Sequence, residues 1–186
     1  MTKDAQRSET DLVLESSLQG FFYDQLSQVN KKSSKPLATE IIFYSSNVLD
    51  LYGDSKRYFE IVEGRVREKT LGIKLLESSQ YSSSIQKQVV KDVADTALFM
   101  CGFFSDSLKA KIVDLSYYHQ IGRDAYAMLN GLMPSYFEVN DFYKKMSYNF
   151  DCITSMLNVV SSAFTSDIKT NEIFFISAPI KSGRAS

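Results

Sequence analysis

The sequence predicts an all-α protein, a compact bundle or orthogonal array of five to six helices. Three observations predict it. Apolar residues recur every three or four positions over most of the chain, the spacing that lines up one face of a helix. Only 3 Pro and 8 Gly interrupt 186 residues, so long helices are easily accommodated. The links between periodic runs are short and carry turn residues. The organisation expected is a flexible leader at residues 1–10, a single helical domain at 11–165 and a flexible or docking tail at 166–186.

The first helix starts at Asp11, with Leu14, Leu18, Phe21, Phe22, Leu26 and Val29 at helical spacing. The stretch NKKSSKP stops it, and Pro36 suits the first turn of the next element. That element carries Leu37, Ile41, Phe43, Tyr44, Val48, Leu49 and Leu51 and ends near Gly53. Residues 58–76 are ambiguous. Tyr58, Phe59, Ile61 and Val62 fit a short helix or a strand, and so do Leu71, Ile73, Leu75 and Leu76. Helix is expected for both, because the neighbours are Glu, Lys and Arg and no strong hairpin signal stands between them.

The helix over 85–102 is clearer. Ser82, Ser83 and Ser84 offer an N-cap, and Ile85, Val89, Val93, Ala97 and Met100 make an amphipathic face. After a corner at FFSD, Leu108, Ile112, Leu115, Tyr118, Gly122, Ala125 and Leu129 trace one stripe. NGLMPS breaks the pattern. A last long helix follows, with Val139, Phe142, Met146, Phe150, Ile153, Leu157, Val160 and Phe164 on one face. The tail differs: an apolar run at 173–176 sits among polar residues, the composition of a disordered segment or of a short docking motif.

Charge and motifs narrow the function classes. The net charge is −1, which is no footprint of a polyanion-binding protein. Lys31, Lys32 and Lys35 read as a solvated loop. Arg65, Arg67, Lys69 and Lys74 interleave with Glu60, Glu63, Glu68 and Glu77, so nucleic acid is not an expected partner. There is no run of 18 apolar residues, so no membrane span is expected, and no secretory signal. Cys101 and Cys152 read as buried thiols in a reducing compartment, which places the protein in the cytoplasm. Phosphate-loop, dinucleotide, nucleophile-elbow and metal-ligand motifs are absent from the sequence, and no cofactor is expected.

Two groups of residues remain as candidates. His119, the chain's one histidine, lies at the edge of the 108–129 stripe. One histidine and two distant cysteines make a poor metal set, so it reads as a boundary residue hydrogen-bonded locally. Asp92 and Asp95 fall on the polar flank of the 85–102 helix, where Arg side chains or Tyr117, Tyr118 and Tyr126 can satisfy them across a helix seam. Paired acids can also do acid–base work when their surroundings split their pKa values. Gly102 and Gly122 permit close approach of backbones, with Phe99, Phe103 and Phe104 packed around Tyr118 and Tyr126. The candidate pocket or seam is therefore Asp95, Phe99, Gly102, Tyr118, His119, Gly122 and Tyr126.

The stretch VADTALFMCGFFSDSL followed by SYYHQIGRDAY resembles an uncharacterised family of all-helical bacterial cytoplasmic proteins. The resemblance rests on Asp95, Leu98, Phe99, Gly102 and Phe104, then on Tyr117, Tyr118, Gly122, Ala125 and Tyr126. Ala94 stands where the pattern has Gly. The resemblance implies an all-helical cytoplasmic domain and carries no activity with it.

The leading expectation is a non-enzymatic helical adaptor or regulator that binds another protein, or a second copy of itself as a two-fold dimer. Tyr52, Tyr58 and Phe59 form one candidate partner patch, and Tyr136, Phe137 and Tyr143 another. A small-molecule sensor is the first alternative, its apolar pocket lying between helices 85–102 and 108–129. An enzyme using Asp95 and His119 is the second.

Overall fold

A computed structural model describes residues 18–52, 59–62, 65–68, 71–105, 115–136 and 138–170; at 59–62, 65–68 and 164–170 it describes the backbone alone. Seven α-helices stand among these residues: α1 (Leu18–Lys31), α2 (Thr39–Tyr52), α3 (Leu71–Glu77), α4 (Ser83–Phe103), α5 (Leu115–Leu132), α6 (Phe142–Tyr148) and α7 (Phe150–Thr170). Two short antiparallel ribbons interrupt them, β1 (Phe59–Val62) with β2 (Arg65–Glu68), and β3 (Ser135–Tyr136) with β4 (Val139–Asn140). The fold is mostly helical and compact, but it is not the five to six helices of the expectation. The leader, and the tail beyond residue 170, lie outside the described residues.

Two elements differ from the expectation. The segment expected as a helix around Ile61 and Val62 is a hairpin. Val62 pairs with Arg65, so only Glu63 and Gly64 separate the strands in sequence, and Ile61 pairs with Val66. β-Branched residues on both strands outweigh the helix preference of the charged neighbours.

The last long helix is really two, because Asn149 breaks it. Its side-chain Nδ2 donates to the Lys145 carbonyl at 2.8 Å, and its backbone N–H donates to the same carbonyl at 3.0 Å. Its own carbonyl accepts from the Ile153 N–H at 2.9 Å, the first bond of α7. One residue thus closes α6 and opens α7, as asparagine does when its amide competes with the helix ladder. Val139, expected on the same helix, lies in β4. At the start of α6, Asp141 takes the left-handed backbone (φ 52°) that Asn and Asp tolerate best after Gly.

At the centre runs α4, enclosed by α2, α3, α5 and α7. Every residue from 93 to 102 is buried, Asp95 and Thr96 among them. Over this half of α4, buried all round, there is no polar flank; the N-terminal half, from Ser83 to Asp92, stays largely at the surface. The amphipathic expectation fails here for that reason: Ile85 is outside and Asp95 is inside. Ser82 occupies the N-cap position, but its side chain makes no capping hydrogen bond.

Close approach of α7 sets the depth of the packing. A Cβ on Gly102 would overlap Leu157, and one on Gly122 would overlap the Phe150 ring and crowd the Ala97 Cβ. The two glycines were expected to face each other across the α4–α5 seam. Each instead admits a side chain of α7, with Ala97 of α4 also at Gly122. Asn158 fastens the α7 side by donating to Ser105 Oγ, with the Gly102 carbonyl 3.5 Å away.

Candidate functional site

Asp95 sits 1% exposed at the middle of α4. Its Oδ1 accepts from Tyr44 Oη of α2 at 2.7 Å and from Tyr126 Oη of α5 at 2.8 Å. Its Oδ2 accepts from Lys91 Nζ, one turn earlier on α4, at 2.5 Å. Both tyrosines are fully buried. Burial holds each phenol well above its ordinary range, and the neighbouring Asp95 adds to that. The group is a closed knot: a buried carboxyl group with a donor from each of three helices, as a buried polar group requires. Lys91 also lies over the Tyr44 ring, 5.1 Å from its centre.

Around the knot is a cage of rings. Tyr44 meets Tyr136 and Phe142 edge-on at 5.1 Å each, and Tyr143 stacks on Tyr126 at 6.3 Å. A turn away, Tyr52 Oη donates to Asp92 Oδ1 at 3.0 Å. Burial raises the Tyr52 and Tyr143 phenols as well. Tyr52 and Tyr143, candidates for a partner patch, are therefore inside, and Tyr136 is half-buried among rings. Phe137 and the side chains of Tyr58 and Phe59 lie outside the described residues.

His119 belongs to a different group. Its Nδ1 lies 2.7 Å from Asp151 Oδ1, and Arg123 Nη1 donates to Asp151 Oδ2 at 3.1 Å. Asp151 is 60% exposed, so this cluster stitches α5 to the first turn of α7 at the surface. The partner of the imidazole is thus on another helix, not local as expected. Phe150 stands beside it, its ring 5.6 Å from the imidazole and 6.1 Å from the Tyr126 ring. Asp95 and His119 are therefore not brought together: each has its own partners, and an apolar ring contacts both sides.

The remaining seam candidates also have packing partners. Phe99 stacks on Phe103 at 5.2 Å, with Phe104 at 5.5 Å and Tyr52 at 6.3 Å. Tyr118 is buried edge-on to Tyr117 at 5.3 Å, and burial raises its phenol. Tyr117 Oη accepts the Gly72 N–H of α3 at 2.9 Å. Surface depressions among the described residues include one of about 360 Å³ lined by Lys74, Glu77, Tyr81, Gln88, Val89 and Asp92, and one of about 500 Å³ between α1 and α7. Neither is lined by Phe99, Tyr118 or His119. Among the described residues no group of three or more His, Cys, Asp or Glu converges to hold a metal ion, and no helix is long and apolar enough to cross a membrane.

Sequence reasoning paired Asp95 with the right helix seam but missed Tyr44 and Lys91. The lysine was legible, because positions i and i+4 share a helix face. Tyr44 is 51 residues away, and nothing in the sequence points to it. Asp151, the partner of His119, was equally invisible.

Among the described residues, α3 carries two large apolar side chains on its outer face. Leu71 is buried and Leu75 packs against the core, while Ile73 and Leu76 face outward, Leu76 at 79% exposure. Tyr81, just after α3 in sequence, and Ile85, in the first turn of α4, are exposed as well. No protein-family model, curated protein or solved structure matches the chain.

Proposed function

We propose that this chain is a non-enzymatic helical adaptor or regulator that binds another protein through the outer face of α3. The observation that carries the reading is the pair Ile73 and Leu76, two large aliphatic side chains on the side of α3 opposite Leu71 and Leu75. Such a pair contributes nothing to the core, and apolar residues grouped on one exposed helix face are what a partner groove takes up. Tyr81, exposed a few residues further along the chain, is an aromatic side chain of the type that anchors interfaces. The closed hydrogen bonding of Asp95 supports a structural role for the acid over a catalytic one.

A bacterial cytoplasmic setting goes with this reading. It draws on the resemblance of residues 93–126 to an all-helical family, and on Cys101 and Cys152 standing as free thiols. The experiment is affinity capture from the native cell with the full chain and with the double variant Ile73→Asp/Leu76→Asp, the fold of both checked by circular dichroism and urea melting. The variant is expected to fold and to lose the captured partner at least tenfold. Equal capture by both proteins overturns the assignment of this face. Light scattering on the same two proteins separates the readings: a wild-type dimer that the variant breaks identifies the partner as a second copy.

A further inference from the structure

We draw no further inference here: the strongest candidate, the groove of about 500 Å³ between α1 and α7 where Val29, Met156 and Val159 lie among Gln25, Gln28 and Lys32, is an unpartnered surface with nothing among the described residues to show what covers it.

Discussion

Asp95 offers the sharpest test of what holds the helices in register. Truncating it to Ala removes the acceptor shared by Tyr44 and Tyr126 and the partner of Lys91. Both phenols are sealed inside, so each hydroxyl left without a partner costs about 1–3 kcal/mol. Asp95→Ala should therefore destabilise the fold by about 3–5 kcal/mol, the scale of breaking one side of a buried polar pair. Tyr126→Phe is milder. It removes one donor while Tyr44 and Lys91 still satisfy the carboxyl group, a loss of about 1.5–3 kcal/mol.

The two changes should not add. With Asp95 already truncated, the Tyr126 hydroxyl has lost its acceptor, and deleting it costs little or even stabilises. The double-mutant cycle should show a coupling of about 2–3 kcal/mol, read from urea unfolding of the four proteins at pH 7. In thermal melts each kcal/mol corresponds to about 2–4 °C for a chain of this size. Additivity within about 0.5 kcal/mol would refute the knot, because it would mean that Tyr126 does not use Asp95 as its acceptor.

Other outcomes follow from the packing and the burial. Gly102→Ala drives a methyl into the Leu157 Cβ, where neither atom is the end of a flexible chain, and should cost about 1–3 kcal/mol. Gly131→Ala in the last turn of α5 meets nothing within 4 Å and should gain about 0.5–1 kcal/mol; equal effects in urea unfolding would show that α7 does not approach as described. Burial, then Asp151, pushes the Cys101 thiol up to about 12, so in native buffer a maleimide should label Cys152 first and Cys101 only on unfolding, as mass spectrometry of the two peptides can show. The folded state keeps that proton where the unfolded chain gives it up. Its contribution to stability is thus whole below about pH 8.5 and is lost as pH rises towards 12; buried Tyr44 and Tyr126 act the same way above about pH 10. Tyrosinate absorbance from the buried rings should appear together with loss of helical circular dichroism, and its appearance in a still-folded chain would count against their burial. Tyr117→Phe strips the acceptor from the Gly72 N–H, so α3 amides should exchange faster while global unfolding shifts by about 1 kcal/mol or less; unchanged exchange would remove Tyr117 as the fastening of α3.

Helical periodicity was legible wherever one face of an element meets the core. α1, α2 and α5 show it, with Leu26, Leu49 and Leu129 buried where the spacing puts them. It misled in three places, each for a physical reason. On α4 the pattern identified one apolar face, whereas residues 93–102 are packed on all sides and bury their polar members too, and Asp95 went inward with partners from α2, α5 and its own helix. At Asn149 the apolar spacing ran straight through a helix end, because α6 and α7 both pack inward and the stripe continues across their junction. In β1 and β2 the charged residues read as helix formers while the β-branched residues took the ribbon. The candidate site was half legible. Tyr126 and Asp95 lie on adjacent helices and a seam could be drawn between them. Tyr44 and Asp151 come from elsewhere in the chain, and a tertiary pairing leaves no local trace.

Asp95 and the α3 pair break the same simple rule in opposite directions, and their surroundings decide what each means. A buried acid violates the apolar interior, yet α2, α4 and α5 all supply donors to it, so the departure is compensated within the fold and serves to fix three helices against one another. Exposed Ile73 and Leu76 violate the polar surface, and their own helix gives the comparison: α3 is fastened from its inner side by Leu71, Leu75 and the Gly72–Tyr117 bond, none of which needs an aliphatic residue on the outer side. A single exposed leucine is ordinary on any protein. Two on one face of a seven-residue helix are not accounted for by the packing that fastens α3, whereas the buried acid is accounted for by its three donors.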